Sequence, residues 1–181
     1  MRWDRLFDDL EAQLAGEQVR ELGAEVADRT RRERAQIDLH SRLLANLDTA
    51  QVGLRLRGRI VTGRLVEVGP DWALLEPAPQ RPVLVALPAV RAVSGLHLGA
   101  RTPSVVARRF GLGAALRAVS RDRAVVEVAD ADGQAVTGTI DVVGADHLEL
   151  AEHAPDETRR SAHVTGRLVI PFWSLGSVRR I

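Results

Sequence analysis

The chain has 181 residues and contains no cysteine, no lysine and no tyrosine; aromatic residues make up only 3% of it. Without cysteine there are no disulfides, no thiol nucleophile and no thiolate-held zinc or iron–sulfur centre. Without lysine there is no Schiff-base amine and no phosphate-loop lysine. No apolar run approaches the roughly 20 residues that a membrane-spanning helix needs. The first residues, MRWDRLFDDLEAQ, are acidic and amphipathic and do not read as a secretory signal. The expectation is a soluble, cytoplasmic protein with no membrane partner.

What remains is enough to build a core. The chain is 45% hydrophobic and 27% charged, which excludes disorder by composition. All 25 basic residues are arginine, against 24 acids, for a net charge of +1. That balance hides an uneven distribution. Residues 1–51 carry net −3, residues 52–96 net +3, residues 97–123 net +5 and residues 124–181 net −4. A basic middle lies between two acidic ends.

Residues 1–50 have helical periodicity. Trp3, Leu6, Phe7, Leu10 and Leu14 fall on one stripe, continued by Val19, Leu22 and Val26. Residues 25–35 (EVADRTRRERA) are polar almost all round. After residue 51 the period changes to two. Val52, Leu54 and Leu56 alternate with Gly53, Arg55 and Arg57, the pattern of a half-buried strand. Further short strands are expected over 60–68, 72–76, 83–87 and 90–93, separated by the Gly69-Pro70-Asp71 turn and a proline-rich loop over 77–82.

Residues 61–76 (VTGRLVEVGPDWALLE) match residues 136–151 (VTGTIDVVGADHLELA) at Val61/Val136, Thr62/Thr137, Gly63/Gly138, Val68/Val143, Gly69/Gly144, Asp71/Asp146 and Leu75/Leu150. Upstream, Leu44, Leu47, Leu54 and Leu56 align with Leu116, Val119, Val126 and Val128; downstream, VLVALPAVRAV aligns with LVIPFWSLGSV. Turn residues and strand pattern recur together, so the unit is a helix followed by five strands, present twice.

A short helix feeding a five-stranded, strongly bent sheet resembles the Sm-like fold, the small barrel of the Sm, LSm and Hfq proteins. The motif that carries the resemblance is apolar-x-Gly-x-apolar, as Val61-Thr62-Gly63-Arg64-Leu65 and Val136-Thr137-Gly138-Thr139-Ile140. A strongly bent strand needs a site without Cβ at that glycine. The resemblance covers residues 40–96 and 112–181. It implies an α+β, mainly β chain: an N-terminal helical segment (1–50), a first five-stranded Sm-like or SH3-like barrel (51–99), then a linker, short helix and second barrel (100–181). In this the chain resembles a bacterial protein with a degenerate tandem pair of such barrels. The family's RNA-binding Asp falls at Gly69 and Gly144 here, its Asn at Ala73 and Leu148, and its late basic-Gly pair at Val93-Ser94-Gly95 and Val178-Arg179-Arg180. The resemblance therefore implies shape, not a uridine pocket.

Three functions are open, none of them enzymatic. Arginine forks suit phosphates, so Arg55, Arg57, Arg59 and Arg64 on the first hairpin, and Arg108 and Arg109 in the basic linker, are the expected nucleic-acid contacts, with Trp72 as an exposed stacking platform. Solvated surface charge or internal acidic partners also account for these arginines. The alternative is a protein–protein scaffold or homo-oligomer that uses sheet edges and the N-terminal helix. The third is a helix-turn-helix-like DNA-binding regulator over residues 103–121, with Ala107, Gly111 and Leu112 at the motif's spacing but Arg117 and Ser120 where it wants apolar residues. His40, His97, His147, His153 and His163 show no ligand spacing, and no phosphate loop or serine elbow is present. No cofactor, metal or small-molecule substrate is expected. Asp71 and Asp146 read as turn caps, and Trp173 as a packing residue.

Overall fold

The computed structural model describes residues 2–48, 51–103, 109–156, 160 and 163–181, with the backbone alone over 2–15, 18 and 19. The chain divides into two compact units, Met1–Asp38 and Leu39–Ile181.

The first unit is a single helix, α1 (Arg2–Ala35), which runs through Gly16 without a break. The apolar side chains from Trp3 to Leu14, and Val19, lie outside the described residues. Leu22 and Val26 are exposed. Over the polar stretch the helix pairs its own charges. Arg29 meets Glu33 at 3.1 Å, and Arg31 and Arg32 both reach Asp28, at the spacing that makes neighbours on a helix surface. Among the described residues no helix is long and apolar enough to cross a membrane.

The second unit is mostly sheet. It opens with α2 (Leu39–Ala45), then β1 (Gln51–Leu56), β2 (Arg59–Val68), β3 (Trp72–Glu76), β4 (Val83–Ala86) and β5 (Ala92–Ser94). Next come α3 (Leu112–Ser120), β6 (Val125–Asp130), β7 (Ala135–Val143), β8 (His147–Glu152), β9 (Gly166–Pro171) and β10 (Leu175–Arg180). A short 3₁₀ turn lies before β5 (Leu87–Ala89) and another before β10 (Phe172–Ser174). Alternation places Val52, Leu54 and Leu56 of β1 inside while Arg55 stays outside.

The expectation of two tandem five-stranded small barrels is overturned. The ten strands form one open antiparallel sheet in the order β5-β1-β2-β3-β4-β10-β6-β7-β8-β9. The reason lies at β10. One side of it pairs with β6, and the other pairs with β4, with Val85 opposite Ser177, Leu84 opposite Val178 and Val83 opposite Arg179. The outer hydrogen-bonding groups of β4 are thereby met by β10 rather than by β5, so neither set of five strands closes on itself.

Two glycines permit the sheet to bend. A Cβ on Gly63 would lie 2.7 Å from the Glu76 carbonyl carbon, and one on Gly138 would lie 2.1 Å from the Ala151 carbonyl oxygen. Just beyond each glycine the ladder slips by a residue, between Leu65 and Glu67 in β2 and between Ile140 and Val142 in β7. Such bulges bend the strand and increase its twist.

Two core clusters follow. The first collects Leu43 and Leu44 of α2 with Val52, Leu54, Leu65, Leu75 and Val85. The second collects Leu112 and Leu116 of α3 with Val126, Val128, Ile140, Leu148 and Leu150. Trp72, Leu84 and Ala86, from the first five strands, belong to the second cluster. Each fully buried Leu contributes about 1.5–3 kcal/mol of transfer free energy. The two sets thus share apolar burial across the β4–β10 ladder.

Candidate functional site

The expected nucleic-acid residues do not form one free cationic patch. Arg57, in the β1–β2 turn, donates from Nη1 to Asp132 Oδ1 at 2.6 Å. Arg59, at the start of β2, lies 3.7 Å from Glu127. Arg64, in the middle of β2, is held between Asp48 and Glu76. Arg55 and Arg109 are exposed and make no ion pair among the described residues. Arg108 lies outside the described residues, as does the 104–108 half of the expected helix-turn-helix. The remainder, α3, packs on the sheet with Leu112 and Leu116 in the core.

These contacts change the electrostatics. The hydrogen bond to Glu76 is the main reason the Arg64 guanidinium is held above its ordinary pKa. The same bond, with a second from the Gln80 N–H, holds the Glu76 carboxyl below the usual glutamate value. A guanidinium already facing a carboxylate has less to offer a phosphate.

Trp72 is buried, and its indole N–H donates to the Phe110 carbonyl at 2.8 Å, so its ring is no open stacking platform. Its neighbour Asp71 caps across the chain rather than only its own turn: Oδ1 accepts the Leu112 N–H at 2.7 Å, at the first turn of α3. Asp146 instead bonds His147 Nδ1 at 2.8 Å, which lowers its pKa. His153 is buried, with Nε2 2.9 Å from Thr139 Oγ1 and Nδ1 2.9 Å from the Ala154 carbonyl. Among the described residues, no three His, Asp or Glu side chains gather as a metal site.

A groove of about 1130 Å³ lies over β2, β3, β4 and β10, with Val66, Leu74 and Val83 among its lining. Its charged lining is largely committed. Glu76 pairs with Arg64, Arg179 with Glu127 and Arg180 with Asp122, leaving Arg81 as its one unpaired cation among the described residues.

Two features were not singled out from the sequence. One is the charge cluster at the joint between the two strand sets. Arg179 makes a two-pronged contact with Glu127 at 2.8 and 2.6 Å, with Arg59 on the same carboxylate. The other is which strands form the open edges, β5 and β9. On β9, Val169 is 65% exposed, and Trp173, just beyond it, is 81% exposed. Trp173 therefore does not pack within the chain. The available signal was the apolar run Leu168-Val169-Ile170, flanked in its strand by Arg167 and Pro171.

No family model matches the chain, and no curated protein is significantly similar to it.

Proposed function

We propose that this chain is a non-enzymatic assembly module whose contacts are made by its open sheet edges. One comparison within the molecule carries the reading. In β4 every residue is buried, because β10 covers it. In β9 the same position in the other strand set is uncovered: Leu84 is 3% exposed, while Val169 is 65% exposed. The ladders support that equivalence. Ala73 of β3 sits opposite Val85, and Leu148 of β8 sits opposite Ile170. The Leu87 N–H meets the Asp71 carbonyl at 2.9 Å, and the Phe172 N–H meets the Asp146 carbonyl at 2.7 Å.

That last bond also fixes which backbone groups are free. Alternation along an antiparallel ladder then points the N–H groups of Arg167 and Val169 away from β8. An exposed apolar edge with outward N–H and C=O groups is a template for another strand. Analytical ultracentrifugation of the full chain beside Val169→Lys tests the reading. Assembly that the variant abolishes supports it; a monomeric wild type, or assembly the variant leaves intact, overturns it.

Arg55, Arg91 and Arg109 favour a second reading, contact with a nucleic-acid backbone, because they are exposed and unpaired among the described residues. Salt-steep binding to mixed-sequence RNA or DNA is its signature.

A further inference from the structure

We propose that the cavity between α3 and strands β2, β3 and β4 binds a small amphiphilic anion: an apolar body, a ring system or a short chain, that carries one carboxylate or sulfonate. The site lies over inner strands of the sheet, away from the edges β5 and β9, and does not depend on assembly through them.

The cavity follows from the composition of α3. Leu112 and Leu116 of this helix are buried in the second core cluster. Beside them stand Ala114, Ala115 and Ala118, whose methyl groups leave open a space of about 440 Å³ over Trp72, Leu74 and Leu84. Pockets that enclose a small organic molecule span about 300–1,000 Å³. The floor is apolar. Its one polar side-chain atom, the indole N–H of Trp72, already donates to the Phe110 carbonyl at 2.8 Å. A polar group placed on this floor finds no free side-chain partner, so the body of the ligand is apolar.

Charge is confined to the rim. Arg117 and Arg121 lie one helical turn apart at the C-terminal end of α3, both exposed and both lining the cavity. Neither faces a carboxylate among the described residues; Arg117 donates to the neutral Gly144 carbonyl, at 3.2 Å. Like charges at this spacing repel, and an anion seated between the two guanidinium groups relieves that repulsion. Glu67, on β2, is the single carboxylate of the lining and disfavours a second anionic group on the ligand.

Phe110 marks the mouth. It is 54% exposed, yet its backbone is held: Trp72 bonds its carbonyl, and Asp71 accepts the Leu112 N–H at 2.7 Å. An aromatic ring fixed at the opening of an apolar cavity is a stacking wall for a ligand ring. The second strand set lacks the site. There the registers place His147, Glu149 and Val169 where Trp72, Leu74 and Leu84 stand, so a carboxylate takes the middle of the floor.

The test titrates the full chain with anilinonaphthalene sulfonate and with phenylnaphthylamine, an uncharged dye with the same rings. Wild type takes up one sulfonate dye per chain, with a Kd of about 10–100 µM, and binds the uncharged dye more weakly. Arg121→Ala, at an exposed position without an ion pair, keeps the wild-type melting curve. It weakens the sulfonate dye by about threefold or more and leaves the uncharged dye unchanged, while Arg121→Lys retains most of the binding. Ala118→Trp, also at an exposed position, fills the mouth and abolishes uptake of both dyes. Val169→Lys, on the β9 edge, changes neither. No uptake by wild type, or uptake that Ala118→Trp leaves intact, overturns the cavity as a binding site. Uptake that Val169→Lys removes puts the dye on the sheet edge and overturns it as well. Equal binding of the two dyes, or no effect of Arg121→Ala, refutes the anionic class. None of these outcomes touches the assembly reading, which is decided by the sedimentation of Val169→Lys.

Discussion

Glu127 and Arg179 face each other across β6 and β10 and share two hydrogen bonds, at 2.8 and 2.6 Å. Arg59 approaches the same carboxylate from the first strand set, at 3.7 Å. The carboxylate is 19% exposed and Arg179 50% exposed, so the group is half-sheltered where the two sets of strands meet. That hydrogen bond holds the Arg179 guanidinium above its ordinary pKa, and its contribution persists through neutral pH.

Replacing Glu127 with Gln removes the anion and leaves two guanidinium groups facing each other. We expect a loss of about 1 kcal/mol, discounted for exposure, and a larger loss at low salt than at high salt. Urea unfolding at two salt concentrations measures it. An unchanged midpoint would mean that the ladder alone holds the joint.

Gly138→Ala places a methyl group 2.1 Å from the Ala151 carbonyl oxygen, a backbone atom that cannot swing aside. The expected cost is about 2–4 kcal/mol, read as a lowered melting temperature. Gly23→Ala is the contrast. It meets nothing within 4 Å in the middle of α1, and there the change should stabilise the helix by about 0.5–1 kcal/mol.

Acid should weaken the fold through Glu76 and Asp146. Both carboxyls are held below their ordinary values, Glu76 chiefly by the Arg64 hydrogen bond and Asp146 chiefly by His147. The unfolded chain therefore binds more protons in the window between the ordinary and the lowered value. Their contribution is complete above the ordinary carboxylate values and is lost as pH falls through the lowered ones. Glu76→Gln should flatten the fall in stability in that acid window while leaving the slope near neutrality unchanged. An unaltered acid limb would show that the Arg64–Glu76 contact does not persist in solution.

Arg55 and Arg57 separate the nucleic-acid reading from the assembly reading. Arg57 already pairs with Asp132, whereas Arg55 has no such partner among the described residues. Where phosphate binding occurs, Arg55→Ala weakens it more than Arg57→Ala and lowers the salt slope by about one phosphate contact. Fluorescence anisotropy against single-stranded RNA, single-stranded DNA and duplex DNA measures both. Equal effects from the two variants would contradict the ion-pair assignment.

The strands were legible in the sequence because their signals are local. The alternation of Val52, Leu54 and Leu56, the Gly69-Pro70-Asp71 turn and the crowded glycines at 63 and 138 need no knowledge of distant neighbours. Which edge β4 joins was not legible. β5 and β10 offer the same apolar-x-x-apolar pattern, and the ion pairs that cross the joint, Arg57 with Asp132 and Arg59 with Glu127, join residues far apart in the chain. The same distance explains the arginines. Arg57 and Asp132 are separated by 75 positions, so counting charges by segment showed a basic middle but not that Arg57, Arg59, Arg64 and Arg123 within it meet carboxylates elsewhere in the fold. Trp72 reads as exposed until Phe110 closes over it from a remote loop. Pairing Leu54 with Val126 by sequence also misses by two residues. Leu54 lies opposite Val61, and Val128 lies opposite Val136, because the turn after β6 differs in length from the turn after β1.

The measurement that bears most directly on the central claim is sedimentation velocity of the wild-type chain against Val169→Lys over a range of concentrations. The account predicts a wild type whose mass rises with concentration and a folded variant that stays monomeric. A wild type that remains monomeric, or a variant that assembles equally well, would contradict the assignment of β9 as an assembly edge.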